Sequence, residues 1–189
     1  MIEQAANSTA TVHTITLNGG LVRNDLRFGV NGQNCTSNLY GLYPVKGKQH
    51  VDNHTIVDHR VAHCESNEHY KGILNDKSKA VFNGKVFVRQ DAQKTNAFQS
   101  NQNILLSDHA DVNSKPELEI YADDVKCSHG STTGQFDEEA VFYLRSRGIT
   151  EDSARKLLIQ AFAEEVLDHV SIEPLREWLS ERVAQQVAS

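Results

Sequence analysis

The stretch Asp123–Gly148, DDVKCSHGSTTGQFDEEAVFYLRSRG, holds the change of texture that decides the fold. Its first part closes a strand-like run with a thiol and an imidazole two positions apart, Cys127 and His129, then passes into glycine and hydroxyls. Its second part is built as a helix: Asp137 is placed to cap it, acids fill the first turn, and Gly148 supplies a C-terminal stop. The two textures stay apart along the whole chain. All 14 asparagines and ten of the 11 glycines precede Gln135. Both residue types favour turns and tolerate left-handed backbone, so this part is expected to hold many short elements joined by tight corners.

Upstream of Gln135 the residues alternate. VHTITL places Val12, Thr14 and Thr16 on one face, and KVFVR and ELEIYA have the same period of two. Strands are expected at 11–17, 22–30, 36–45, 50–57, 79–89, 102–106, 117–122 and 124–127. No helical period separates them, which argues against parallel strands joined by helices. A sandwich, a barrel and a β-solenoid remain. Asn and Ser inside the strands, with many β-branched positions, suit coils piled in register and favour the solenoid. No fixed repeat aligns cleanly, so the sandwich stays open on pattern alone.

Downstream the period becomes helical. Thr150 is placed to cap a second helix, whose apolar positions Ala154, Leu157, Leu158, Ala161, Phe162, Leu167 and Val170 recur at helical spacing. Pro174 suits the first turn of a third helix, running through Leu175, Trp178, Leu179 and Val183 to Val187. Three helices in so few residues own little core and are expected to pack on the β array or on another protein.

Composition excludes several classes of function. Net charge is -6, of which residues 137–189, with 11 acidic and 6 basic side chains, hold most. Neither part carries the basic stripe that nucleic acid requires. No stretch approaches the roughly 20 apolar residues of a membrane-spanning helix. Cys35, Cys64 and Cys127 are odd in number and lack C-x-x-C spacing, which argues against a disulfide framework and for a reducing, cytoplasmic setting.

Two segments are candidates for chemistry. HVDNHTIVDHRVAHC, 50–64, is rich in histidine. In a strand, His50 and His54 lie about 13 Å apart, too far to share an ion, so ladder positions and coil corners are the expected role of these histidines. Cys127 and His129 are different: in an extended strand both project to one face, about 6.5–7 Å apart, within reach of one ion, a cluster or a partner's ligand. A packed cysteine beside a surface histidine is the plainer alternative. A Cys–His nucleophile would need an orienting group and an oxyanion site, and the sequence indicates neither. GSTTG, 130–134, lacks the lysine of a phosphate loop and reads as a flexible hinge.

Longer stretches carry a family resemblance. LSDHADVNSKPELEIYADDVKCSHGSTTGQFDEEAVFYLRSRGI, 106–149, closely resembles the SufB/SufD family of SUF iron–sulfur assembly scaffolds, as do HVDNHTIVDHRVAHC and 70–107, so that the likeness covers nearly the whole chain. KCSHG, where the SufB branch has an acidic-His-acidic sequence, resembles the SufD branch. The resemblance implies a right-handed parallel β-helix over 1–135 and an α-helical domain over 136–189. It implies a non-catalytic scaffold that pairs with SufB through the β-helix and docks the ATPase SufC through the helices. It further implies that His129, with Cys127 as a lesser candidate, helps hold a transient iron–sulfur cluster shared with SufB, none being tightly bound by this chain alone. FYLRSRG recurs in the SufB branch, which also binds SufC, so Tyr143, Arg145 and Arg147 are expected at the SufC surface. Family members are longer, with an N-terminal helical segment and further coils. The chain thus reads as a C-terminal fragment whose first coil could pair with a second copy. The rival readings are a β-solenoid enzyme acting on polysaccharides and a metal-binding protein using the histidines of 50–64.

Overall fold

The computed structural model describes residues 1–187; Ala188 and Ser189, at the end of the expected helical domain, lie outside the described residues. Ten strands come first: β1 (Ile2–Gln4), β2 (Thr9–Ile15), β3 (Leu21–Val30), β4 (Thr36–Val45), β5 (His50–His59), β6 (Glu65–Leu74), β7 (Lys79–Val88), β8 (Asn96–Leu105), β9 (Asp111–Ile120) and β10 (Lys126–Gln135). Odd-numbered strands form one five-stranded sheet and even-numbered strands the other. Every neighbouring pair is parallel, so each turn of the chain lays one strand in each wall. The array is therefore a parallel β-solenoid of five turns, and the sandwich is excluded. Leu21, His50, Lys79 and Asp111 stack in register, at spacings of 29, 29 and 32 residues. This drift in coil length is why no fixed repeat aligns in the sequence.

Alternation in the strands sorts side chains between interior and outside. In β5 Val51, Asn53, Thr55, Val57 and His59 point inward and are buried, while the residues between them are half-exposed. The inner core joins Phe28, Val30, Leu39, Tyr43, Val57, Tyr70, Phe82 and Val88. One corner repeats: Asn7, Asn34, His63 and Lys94 all adopt φ between 57° and 61°, the left-handed region that asparagine tolerates. Their backbone N–H groups each donate to the next coil, as from Asn34 to the His63 carbonyl at 3.1 Å. The asparagine richness is thus spent on corners and on interior ladders, and His63 serves a corner.

Three strand expectations need correction. β1, three residues long, has no counterpart among the expected strands. β6 has no counterpart among the expected strands, because its inward positions Ser66, Glu68 and Tyr70 mix polar with apolar and hide the alternation. Gly130–Gly134 is no hinge. It is paired in β10 with Ser100–Ile104 of β8, so backbone hydrogen bonding in register overrides the local preference of glycine and hydroxyl residues.

Three helices follow, α1 (Glu138–Arg145), α2 (Glu151–Leu167) and α3 (Glu173–Val187). Asp137 accepts from the Ala140 N–H and Thr150 from the Ser153 N–H, so both expected caps are formed. Gly148 adopts φ 87° beyond α1. Helices α2 and α3 lie on the outer face of the even-numbered sheet: Leu42 and Ile73 pack with Ile159, Ala163, Val166, Leu167, Leu179 and Val183. This settles which stripe of α2 is buried. Ala154 and Leu167 belong to it as expected, but Ile159, Ala163 and Val166 complete it, whereas Leu157 and Ala161 face outward. Lys71 is buried beneath the helices, its ammonium 2.5 Å from Glu165 and 4.1 Å from the centre of the Phe162 ring.

Candidate functional site

Among the described residues strand β10 is the outermost strand of its sheet, paired only with β8. Cys127, His129 and Ser131 stand opposite Ala97, Gln99 and Asn101, which all point inward and are buried. The three β10 residues therefore share the inward face of the last coil. Two contacts fix this reading. Cys127 packs, half-buried, against the inner core, and Ser131 Oγ donates to Ser114 Oγ at 2.7 Å, which bonds Asn101 Oδ1. His129 is exposed, since among the described residues no further coil stacks on its face. The geometry thus brings Cys127 and His129 together at an open end, with the free backbone edges of β9 and β10 beside them.

The two groups differ as ligands. Burial pushes the Cys127 thiol above its ordinary value, offset in part by the Ala97 backbone. It keeps its proton at neutral pH, and a metal would have to displace that proton. A neutral imidazole offers a lone pair without that cost.

Beneath His129 runs a column of in-register residues, Leu39, Glu68 and Gln99, from β4, β6 and β8. Gln99 Nε2 donates to Glu68 Oε2 at 2.6 Å, and both side chains are buried. Burial pushes the Glu68 carboxyl up to about 7, against the pull of the hydrogen bond from Gln99. Neither Glu68 nor Gln99 is singled out by sequence motifs. The signal that finds them is the coil spacing, which places 68, 99 and 129 one above another.

Glu68 and His59 give the fold a testable pH dependence. Folding raises Glu68 from 4.5 to about 7, so its stabilising contribution is full below pH 4.5 and is lost as pH rises to about 7. Burial of His59, which bonds Ser66 at 2.9 Å, lowers it from 6.5 to about 4; its contribution is full above pH 6.5 and lost as pH falls to about 4. Glu68→Gln is expected to stabilise the chain at pH 8 by about 3 kcal/mol and to bring little at pH 4.5. Thermal melts at the two pH values check this; an equal effect at both would show that folding does not raise the Glu68 carboxyl.

The remaining sequence candidates fall elsewhere. Tyr143, Arg145 and Arg147 are exposed on and just after α1. Phe142 and Tyr143 are 72% and 56% exposed, and the Arg147 guanidinium lies 4.5 Å from the centre of the Tyr143 ring. Arg145 reaches Glu151 at 3.3 Å. In the histidine-rich segment, His50 and His54 lie on the outer face of β5, His59 points inward and His63 turns a corner. Among the described residues no three His, Cys, Asp or Glu side chains are grouped to hold a metal ion, and no helix is long and apolar enough to cross a membrane.

The chain is thus a parallel β-solenoid with helices on one outer wall and a Cys-x-His pair at its open end. Residues 1–162 match the family model described as the SUF system FeS cluster assembly, SufBD core domain, and the chain belongs to that family. Within it the chain is SufD-like. It is 41% identical over 184 residues to the iron-sulfur cluster assembly protein SufD of Escherichia coli, covering 97% of this chain and 43% of that protein. It is 40% identical to an iron-sulfur cluster assembly SufBD family protein of Synechocystis, over 97% of this chain and 40% of that one. It is 28% identical to the SufD of Plasmodium falciparum, over 96% of this chain and 13% of the other. The chain thus spans less than half the length of these curated relatives.

Proposed function

We propose that the chain is a non-catalytic scaffold for iron–sulfur cluster assembly, pairing with SufB at the open end of the solenoid and docking the ATPase SufC on its helices. The observation that carries this reading is the exposed His129 on the inward face of the terminal coil, with Cys127 beside it. A second solenoid stacked there would continue both walls through the free edges of β9 and β10 and would enclose the imidazole in the seam. The cluster is cargo. Iron and sulfide arrive at the seam, are held by His129 and a thiolate of the partner, and leave as a unit. Mixed imidazole and thiolate ligation suits iron–sulfur chemistry, and an imidazole is released more readily than a thiolate. Cys127, whose thiol burial keeps protonated, is the secondary ligand.

The helices supply the drive. SufC would grip the exposed face around Phe142, Tyr143, Arg145 and Arg147, and its nucleotide-dependent dimerisation would pull on α2 and α3. These are tied to β4 and β6 by the apolar cluster over Leu42 and Ile73 and by the Lys71–Glu165 pair, so the pull reaches the wall of the solenoid. Hydrogen–deuterium exchange on the complex tests both contacts at once. Adding SufB is expected to protect amides of 126–135, and adding SufC those of 138–147. Unchanged exchange at 126–135 would place the SufB contact elsewhere.

A further inference from the structure

We infer that Gln99 is a positioning residue for His129: its side-chain carbonyl accepts an N–H from the imidazole and leaves the other ring nitrogen facing the seam. The inference rests on the assembly reading for its purpose, whereas the adjacency of the two residues stands on the fold. Gln99 and His129 are direct neighbours in the β8–β10 ladder and share the inward face. Adjacent strands lie about 4.8 Å apart, within the span of a glutamine and an imidazole that lean toward each other.

The orientation of the amide is set from below. Glu68 Oε2 accepts from Gln99 Nε2, which leaves Oε1 as the free end. Gln99 is only 3% exposed, and its Oε1 is buried without a hydrogen-bond partner among the described residues. Buried carbonyls are seldom left so, and the exceptions call for an explanation. The opposite wall is shaped to hold this amide. Gly84 points inward from β7, and a Cβ there would come within 2.4 Å of Gln99 Nε2 and 2.7 Å of the Phe82 ring. The side chain is thus packed, anchored by its nitrogen and unsatisfied at its oxygen on the rung next to His129.

A neutral amide oxygen can only accept, so the ring nitrogen it meets must carry the proton. That selects one tautomer and one ring orientation, with a single lone pair left to face outward. Metal-binding histidines are commonly fixed in this way through their other nitrogen, and loss of such a partner weakens binding roughly 10–100-fold.

The test uses the full chain labelled with 15N-histidine. Ring nitrogen shifts of His129 are expected to show one dominant tautomer in the parent and a mixture in Gln99→Met, which keeps length and removes the acceptor. Circular dichroism confirms that the variant is folded. If Gln99→Met fails to fold, the parent spectrum alone decides: a solvent-like mixture of tautomers at His129 would overturn the inference. The same spectra in parent and variant would overturn it as well. Cluster yield on the SufB–SufC complex is read in parallel and is expected to fall about tenfold for Gln99→Met. Normal yield with His129→Ala would remove His129 from assembly while leaving the Gln99 contact intact, so the two claims fail separately.

Discussion

Replacing His129 by alanine is expected to lower the yield of cluster on the reconstituted complex with SufB and SufC by about tenfold or more, with subunit association unchanged. The ring is exposed at the end of the solenoid, so its removal opens no cavity, and a surface change of this kind costs about 0.5 kcal/mol or less. On the proposed pairing the partner would meet the backbone edges of β9 and β10, which the substitution leaves in place. Cys127 is a poor replacement, because burial holds its thiol protonated. Iron and acid-labile sulfide per complex, with gel filtration for association, provide the readout. A parental yield would remove His129 from the chemistry.

A large effect on the fold is expected from Gly72→Ala, a loss of about 3 kcal/mol or more. Gly72 points inward from β6, between Tyr43 of β4 and Asn103 of β8. A Cβ there would lie 2.3 Å from the Tyr43 ring and 2.4 Å from Asn103 Oδ1. Neither neighbour can give way cheaply. The Tyr43 hydroxyl donates to Asn103 Oδ1 at 2.7 Å and accepts from Asn101 Nδ2 at 2.8 Å, all within the buried core. Moving the ring breaks hydrogen bonds that no water can replace. Gly20→Ala is the control, since a Cβ there meets nothing within 4 Å. Denaturant unfolding measures both; a loss below 1 kcal/mol for Gly72→Ala would mean that the interior is far looser than its hydrogen bonds indicate.

What was legible in the sequence was what local chemistry decides. Asp137, Thr150 and Gly148 mark helix boundaries because a cap or a left-handed stop is settled within four residues. Strands β3, β4, β5 and β7 were placed closely by their alternation. Strand β6 was missed because Glu68 and Ser66 occupy interior positions, where pattern reading expects apolar residues. The glycines and hydroxyls of β10 concealed a strand that exists through its register with β8. For α2, periodicity finds a helix but not the face that meets Leu42 and Ile73, which only the docked sheet selects. The site followed the same rule. Cys127 and His129 are two residues apart and show in the sequence as a pair, whereas Glu68 and Gln99 come into register beneath His129 only through coils of 30 and 31 residues.

The central claim is that the solenoid delivers one imidazole to a cluster held at its open end. Pulsed EPR of the reduced cluster, assembled on the SufB–SufC complex with this chain alone carrying 15N-histidine, tests it most directly. The account predicts a 15N hyperfine coupling of ligand strength that disappears in His129→Ala. A coupling that survives that substitution, or a cluster with no nitrogen coupling in the parent, would contradict it.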